Sequence, residues 1–91
     1  MKHLELEEVQ NLLQQGKNAE AKQRLESLPE SENVEYWMLK GTIEQRFQQW
    51  GKAYNAFVKV QQIDPEHPEA KTQIAMIDSI LNFWNKDQFN P

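Results

Sequence analysis

The sequence predicts an all-α fold, in which two helical hairpins are followed by a single closing helix. Apolar residues recur every three or four positions in five separate stretches, which is the spacing of one helix face. No stretch alternates convincingly with a period of two, so no strand is expected. The connections between the stretches are short, and short connections make consecutive helices antiparallel neighbours.

The first hairpin is predicted from two apolar stripes separated by a glycine. The first helix is expected over residues 3–15, and Gly16 follows it, as glycine commonly does at a helix C-terminus. Asn18 is the expected N-cap of the second helix. Pro29 is expected to end that helix, because the residue before proline is pushed out of the α region. The apolar positions of this hairpin are Leu6, Val9, Leu12, Leu13, Ala21, Leu25 and Leu28.

The second hairpin is predicted from two further stripes. Its first helix is expected to start near residues 32–33, residues 50–51 are expected to form the turn, and residues 64–65 are expected to close its second helix. The first of these helices carries two adjacent stripes: Tyr36, Leu39, Ile43 and Phe47, with Trp37 and Gly41 beside them. The second carries Ala53, Ala56, Phe57, Val60 and Ile63.

The fifth helix is predicted to be the longest. Pro68 suits its first turn, where the missing backbone N–H removes no hydrogen bond. Its main stripe is Ala70, Ile74, Ile77, Leu81 and Trp84, widened by Met76, Ile80 and Phe83.

Residues 34–67 resemble one tetratricopeptide repeat. Six positions agree with the signature at fixed spacing: Trp37, Gly41, Ala53, Phe57, Asp64 and Pro65. Small side chains at Gly41 and Ala53 allow two helices to approach closely, with Trp37 and Phe57 filling the space around the crossing. The sequence departs from the repeat at Lys40, Glu44 and Val60, where the family has leucine, an aromatic and a small residue.

The resemblance divides residues 1–91, a single domain, into four parts. Residues 2–33 resemble a degenerate first repeat, and residues 68–86 resemble the helix that closes such arrays. Residues 87–91 form a tail, and the ending from residue 80 is similar to that of small bacterial members of the family. The resemblance implies an α-α superhelix of two hairpins and a capping helix.

Composition narrows the classes of function. The chain has no cysteine, which excludes disulfides, thiolate zinc sites and a cysteine nucleophile. Its formal net charge is −4, with scattered basic residues, so neither nucleic acid nor a membrane surface is an expected partner. No apolar stretch approaches the roughly 20 residues of a membrane span. The acidic, amphipathic N-terminus is unlike a signal peptide, and a cytoplasmic location is expected.

No residue pattern predicts catalysis, a metal or a cofactor. His3 and His67 are far apart, and each has one nearby carboxylate, which is too few ligands for a metal site. The acidic residues of the first helix lie near its N-terminus, where the helix dipole favours negative charge. No nucleotide-binding or nucleophile motif occurs, so the chain is not expected to be an enzyme.

The resemblance implies a concave binding groove lined by the first helix of each hairpin. The positions carried over from the family are Glu35, Met38, Thr42, Gln45 and Arg46 in the middle repeat, Leu6, Gln10, Leu13 and Gln14 in the first, and Thr72, Gln73 and Met76 on the last helix. Each could instead be solvated surface, or core for Leu6 and Leu13. Only Arg46 is basic, so the family's grip on peptide carboxylates is not expected. Two adaptable methionines favour an apolar or neutral segment.

A second candidate surface is the aromatic end of the chain, formed by Phe83, Trp84 and Phe89. These side chains either cover the end of the domain, as amphipathic stripes more often do, or form a patch that binds a partner or a second copy. The predicted function is therefore a peptide- or protein-binding adaptor or scaffold. The alternatives are a self-associating structural protein that uses the fifth helix, and a non-catalytic subunit of a larger enzyme.

Overall fold

A computed structural model describes the backbone of residues 4–89 and the side chains of residues 4–83. These residues form five helices, and no strand occurs among them. The helices are α1 (Leu4–Gln14), α2 (Asn18–Glu26), α3 (Val34–Arg46), α4 (Trp50–Ile63) and α5 (Pro68–Phe89). The all-α prediction is confirmed, because the three-and-four spacing of apolar residues is sufficient to define each helix.

The core is made of two clusters that meet at α3. The first joins α1, α2 and α3 through Leu6, Val9, Leu13, Ala21, Leu25, Tyr36 and Ile43. The second joins α4 and α5 through Ala53, Phe57 and Ile77, and Met38 of α3 packs against it. Consecutive helices pack on each other, and α3 also contacts both helices of the first hairpin. The third helix is therefore the shared element of the structure.

A close approach of α3 and α4 occurs at Gly41. A Cβ atom at this position would lie 2.5 Å from Cζ of Phe57, which is fully buried. Real Cβ atoms do not come this close to a ring, so the absence of a side chain at Gly41 is what allows the contact. Trp37 is half-buried against the first cluster, its Nε1 donates to the carbonyl oxygen of Ser31 at 2.7 Å, and Nζ of Lys59 on α4 lies 5.8 Å from the centre of its ring.

Both predicted boundaries of α2 are wrong in their details. Asn18 is the first residue of α2, Lys17 is the N-cap, and no side chain caps this end. Helix α2 ends at Glu26, before Pro29 can act on it, and the Ser27 hydroxyl donates to the carbonyl oxygen of Arg24 at 2.6 Å. Helix α3, by contrast, starts where it was expected, and Asn33 caps it: the Asn33 side chain accepts from the backbone N–H of Glu35 at 2.7 Å.

The turn of the second hairpin lies earlier than predicted. Gly51 is inside α4, and the residue with left-handed backbone is Gln48, with φ of 59°. Positive φ is uncommon outside glycine. The tight turn is instead held by backbone hydrogen bonds, since Gln49 N–H donates to the carbonyl oxygen of Glu44 at 2.8 Å. Gly16, with φ of 78°, does occupy the predicted left-handed position after α1.

Glu44 lies buried between α2 and α3, where the repeat pattern has an aromatic residue. It is 2% exposed, and its Oε2 lies 2.9 Å from Nζ of Lys22 and 3.8 Å from Nζ of Lys40. Its other oxygen, Oε1, has no hydrogen-bond partner within the described part of the chain. The hydrogen bond to Glu44 raises the pKa of Lys22, against the opposing effect of partial burial. A charged pair therefore joins the two helices at a position that packing normally fills.

Candidate functional site

A groove of about 450 Å³ lies between α1 and α3 and extends to the start of α5. Its lining residues are Leu6, Glu7, Gln10, Leu13, Gln14, Val34, Glu35, Met38, Leu39, Thr42, Arg46, His67 and Glu69. On α1 and α3 these positions follow helical spacing, so each helix presents one continuous face to the groove. The groove is open to solvent along its length.

The floor of the groove is apolar, and its edges are polar. Leu6 and Leu13 are buried, at 8% and 5% exposure, while Met38 and Leu39 are half-buried. Both leucines belong to the first core cluster, as the core interpretation of these positions expected, and still line the groove. The floor is therefore the outer surface of the core, which makes it rigid.

Arg46 lies in the last turn of α3 and holds three helices together. Its Nη1 donates to the carbonyl oxygen of Leu13 at 3.2 Å and to Oδ1 of Asn18 at 2.8 Å. The Leu13 carbonyl oxygen also accepts from the backbone N–H of Gly16 at 3.0 Å, so Arg46 adds a second donor at the C-terminus of α1. The one Lys or Arg among the lining residues thus has a structural role that its position in the sequence did not reveal.

Four of the predicted binding residues contribute to other contacts or surfaces of the structure than this groove. Gln45, Thr72, Gln73 and Met76 are not among the lining residues. The Nε2 atom of Gln45 donates to Oε1 of Gln73 at 2.6 Å, so the two amides join α3 to α5. The Thr72 hydroxyl donates to the carbonyl oxygen of Pro68 at 3.1 Å, and Met76 is exposed at the surface.

Sequence reasoning missed Glu7, Val34, Leu39, His67 and Glu69, which also line the groove. The Nδ1 atom of His67 accepts from the backbone N–H of Ala70 at 3.2 Å. This is N-cap geometry for α5, although histidine is not a preferred capping residue. No local pattern predicts that the start of α5 reaches the groove, because this depends on how α5 packs across α4.

The charge of the groove is mainly negative. Glu7, Glu35 and Glu69 each lie in the first turn of their helix, and all three are exposed. None of these carboxylates forms an ion pair with another residue of the described region. The hydroxyl of Thr42 is already engaged, since it donates to the carbonyl oxygen of Met38 at 2.9 Å.

The aromatic end of α5 is only partly described. Phe83 is 70% exposed and Met76 is 43% exposed, whereas the side chains of Trp84 and Phe89 lie outside the described residues. Helix α5 has 22 residues and α4 has 14, so α5 is longer by about 12 Å at 1.5 Å per residue. Among the described apolar side chains of α5, Met76 and Phe83 are exposed, whereas Ala70 and Ile77 are buried.

Two further properties of the described residues bear on other functions. They contain no group of three or more His, Cys, Asp or Glu side chains that could hold a metal ion. None of the helices in the described region is both long and apolar enough to pass through a membrane.

Comparisons with protein-family models, with curated proteins and with solved structures found no match. The resemblance to tetratricopeptide repeats accordingly rests on the residues that carry it, above all those of 34–67. The contacts and charges of this chain are therefore the basis on which its function is inferred.

Proposed function

We propose that this protein binds a peptide or an extended protein segment in the groove between α1 and α3, as an adaptor or scaffold. The observation that carries the proposal is a rigid apolar floor with polar edges, on the surface that the repeat resemblance assigns to ligand contact. The finer form of the fold belongs to the same proposal: two tetratricopeptide-like hairpins stacked as an α-α superhelix, with α5 as the cap.

The dimensions of the groove fit a short segment. Its α3 side runs from Val34 to Arg46, which is roughly 18 Å at 1.5 Å per residue. An extended chain rises about 3.3 Å per residue, so about five residues would lie along it. A contact of this size favours weak, reversible binding, because a small apolar area must offset the ordering of the segment.

We infer a non-catalytic role on narrower grounds. His67 accepts the capping hydrogen bond of α5, and Arg46 bonds to backbone and side chain at the end of α1. His67 and Arg46 are thus engaged in structure, and the other ionisable groups of the groove, Glu7, Glu35 and Glu69, are exposed to solvent. A groove that holds a segment without transforming it fits this arrangement best.

Selection from random peptides tests the proposal directly. A random peptide library displayed on phage is selected on the immobilised full chain, and enriched peptides are remade for titration by fluorescence anisotropy. Gln10→Trp places a large side chain in the groove at an exposed α1 position. Gln23→Trp makes the same change at an exposed position of α2, outside the lining residues.

We expect Gln10→Trp to weaken binding of the enriched peptides by at least about tenfold, since it removes most of a small contact. Gln23→Trp should leave binding unchanged. Equal binding to both variants would show that the groove is not the binding surface, and a library that yields no binding peptide would contradict the proposal.

Self-association through α5 is the second candidate, favoured by the exposure of Phe83 and Met76. A contiguous apolar surface can mark an interface between copies. Sedimentation velocity over a wide concentration range should then show a dimer that Phe83→Ser weakens. A monomer at every concentration would rule this candidate out without affecting the first.

A further inference from the structure

The geometry points to a particular class of ligand: a segment that carries lysine or arginine beside apolar side chains. This inference rests on the proposed function and adds the chemistry of the partner to it. The sequence alone favours an apolar or neutral segment because of Met38 and Met76, and it does not place Glu7 or Glu69 in the groove.

The first observation is that the carboxylates of the groove form no ion pair with any described residue. Five basic side chains elsewhere in the described residues form ion pairs outside the groove, in contacts that join Lys22 and Lys40 to Glu44, Arg24 to Glu8, Lys59 to Glu32 and Lys71 to Glu66. None of these five basic residues lines the groove. Glu7, Glu35 and Glu69 therefore have no intramolecular partner of opposite charge among the described residues.

The second observation concerns the position of Arg46. Its guanidinium is fixed by Leu13 and Asn18 at the C-terminal end of α3. Glu35 is in the first turn of the same helix, 11 positions away by residue number, or roughly 16 Å along the axis. At that separation, which exceeds the Debye length of about 8 Å at physiological ionic strength, Arg46 does not neutralise Glu35.

Helix dipoles account for part of the negative charge but do not cancel it. Each of the three carboxylates lies in a first turn, where the dipole is equivalent to about half a positive charge. A full negative charge beside half a positive one leaves a net negative potential. The groove therefore attracts cations and repels carboxylates.

The third observation is the apolar floor beneath these carboxylates. Lysine and arginine side chains place an aliphatic stem on an apolar surface while the charged head reaches a polar edge. Leu6, Met38 and Leu39 offer such a surface, and Glu7 and Glu35 offer acceptors beside it. A lysine or arginine side chain thus matches both the apolar floor and the carboxylates at its edge. Neither an acidic nor a purely apolar segment matches both.

The test compares three labelled nine-residue peptides by fluorescence anisotropy with the full chain. Each peptide has two leucines, four glycine or serine residues and three variable positions. The variable positions are all lysine in the first peptide, all glutamine in the second and all glutamate in the third. The groove variant is Glu7→Gln/Glu35→Gln/Glu69→Gln. The matched control is Glu5→Gln/Glu20→Gln/Asp78→Asn, which makes the same change in net charge at exposed positions outside the groove.

We expect the lysine peptide to bind about tenfold more tightly than the glutamine peptide at low salt, because three exposed ion pairs contribute modestly each. The groove variant should lose most of this preference, and the control variant should keep it. About 0.5 M salt should also reduce the preference of the natural chain for the lysine peptide, because salt screens the ion pairs. Circular dichroism of both variants establishes that each remains helical.

Other outcomes separate this inference from the function on which it rests. If the glutamine peptide binds as tightly as the lysine peptide and Gln10→Trp weakens both, the groove is a binding site but its preference for cations is refuted. If the lysine peptide binds the groove variant and the Gln10→Trp variant as tightly as it binds the natural chain, both proposals are refuted. Tighter binding of the glutamate peptide, or no binding of the lysine peptide, would overturn the inference alone.

Discussion

The two sides of α3 use charge in opposite ways. Toward α2, the buried carboxylate of Glu44 pairs with Lys22, and the pair joins two helices. Toward the groove, Glu35 is exposed and has no cationic partner in the described region. On the first side charge therefore stabilises the fold, whereas on the second it remains available to an external partner.

The largest effect that would test this contrast is expected on the α2 side. Lys22→Met leaves Glu44 buried with only the more distant Lys40 nearby, and an uncompensated buried charge is strongly destabilising. We expect the free energy of unfolding in urea to fall by about 3 kcal/mol. Lys71→Met, which removes an exposed pair with Glu66, should lower it by less than about 1 kcal/mol.

A double variant distinguishes loss of the pair from loss of the lysine itself. Lys22→Met/Glu44→Leu replaces the buried charges with apolar side chains, which is often neutral or stabilising. Its stability should return to within about 1 kcal/mol of the natural chain. If the double variant is as unstable as Lys22→Met, the ion pair is not the cause.

An intermediate effect is expected at Arg46, the groove residue that contributes to the fold. Arg46→Ala removes hydrogen bonds to Leu13 and Asn18, and hydrogen bonds to charged groups contribute about 1.5–3 kcal/mol. We expect the free energy of unfolding to fall by about 2 kcal/mol, without any peptide present. Asn18→Ala and the double variant complete a cycle that isolates the pairwise energy. An unchanged free energy of unfolding would show that Arg46 does not stabilise the fold, and Arg46 would then be available as a ligand contact.

The smallest effect is expected for the unpaired acids of the groove. Glu7→Gln/Glu35→Gln/Glu69→Gln removes favourable interactions with helix dipoles and nothing else that the structure describes. The free energy of unfolding of the triple variant should lie within about 1–2 kcal/mol of that of the natural chain. This loss is smaller than the loss expected for Lys22→Met. A larger loss would mean that these carboxylates stabilise the fold, and the contrast between the two sides of α3 would fail.

The sequence predicted the helices well because their signals are local. Apolar spacing and the cap at Asn33 depend on residues within one or two turns. The contacts of Glu44 and Arg46 were not predictable in this way, since their partners lie 22 to 33 residues away along the chain. A departure from the repeat pattern at Glu44, with Lys40 one turn before it, was the one available hint.

The groove was predictable only through the resemblance, and only in part. Positions on α1 and α3 follow from helical spacing once the two helices are neighbours, and Gln10, Met38 and Thr42 do line one surface. Positions on α5 depend on its packing across α4, for which the sequence carries no simple signal. Gln73 accordingly lies at a contact with Gln45 instead of in the groove lining.

The bonds from Arg46 to Leu13 and Asn18 also constrain the order of events during synthesis. The first hairpin is complete at Glu26, yet the side chain that ties it to α3 is added 20 residues later. At about 5–20 residues per second, a ribosome needs one to four seconds for that interval. During that interval Val9 and Leu25 are not yet packed against α3, although both are buried in the finished protein. The apolar faces of α1 and α2 therefore stay incompletely covered until α3 can pack on them.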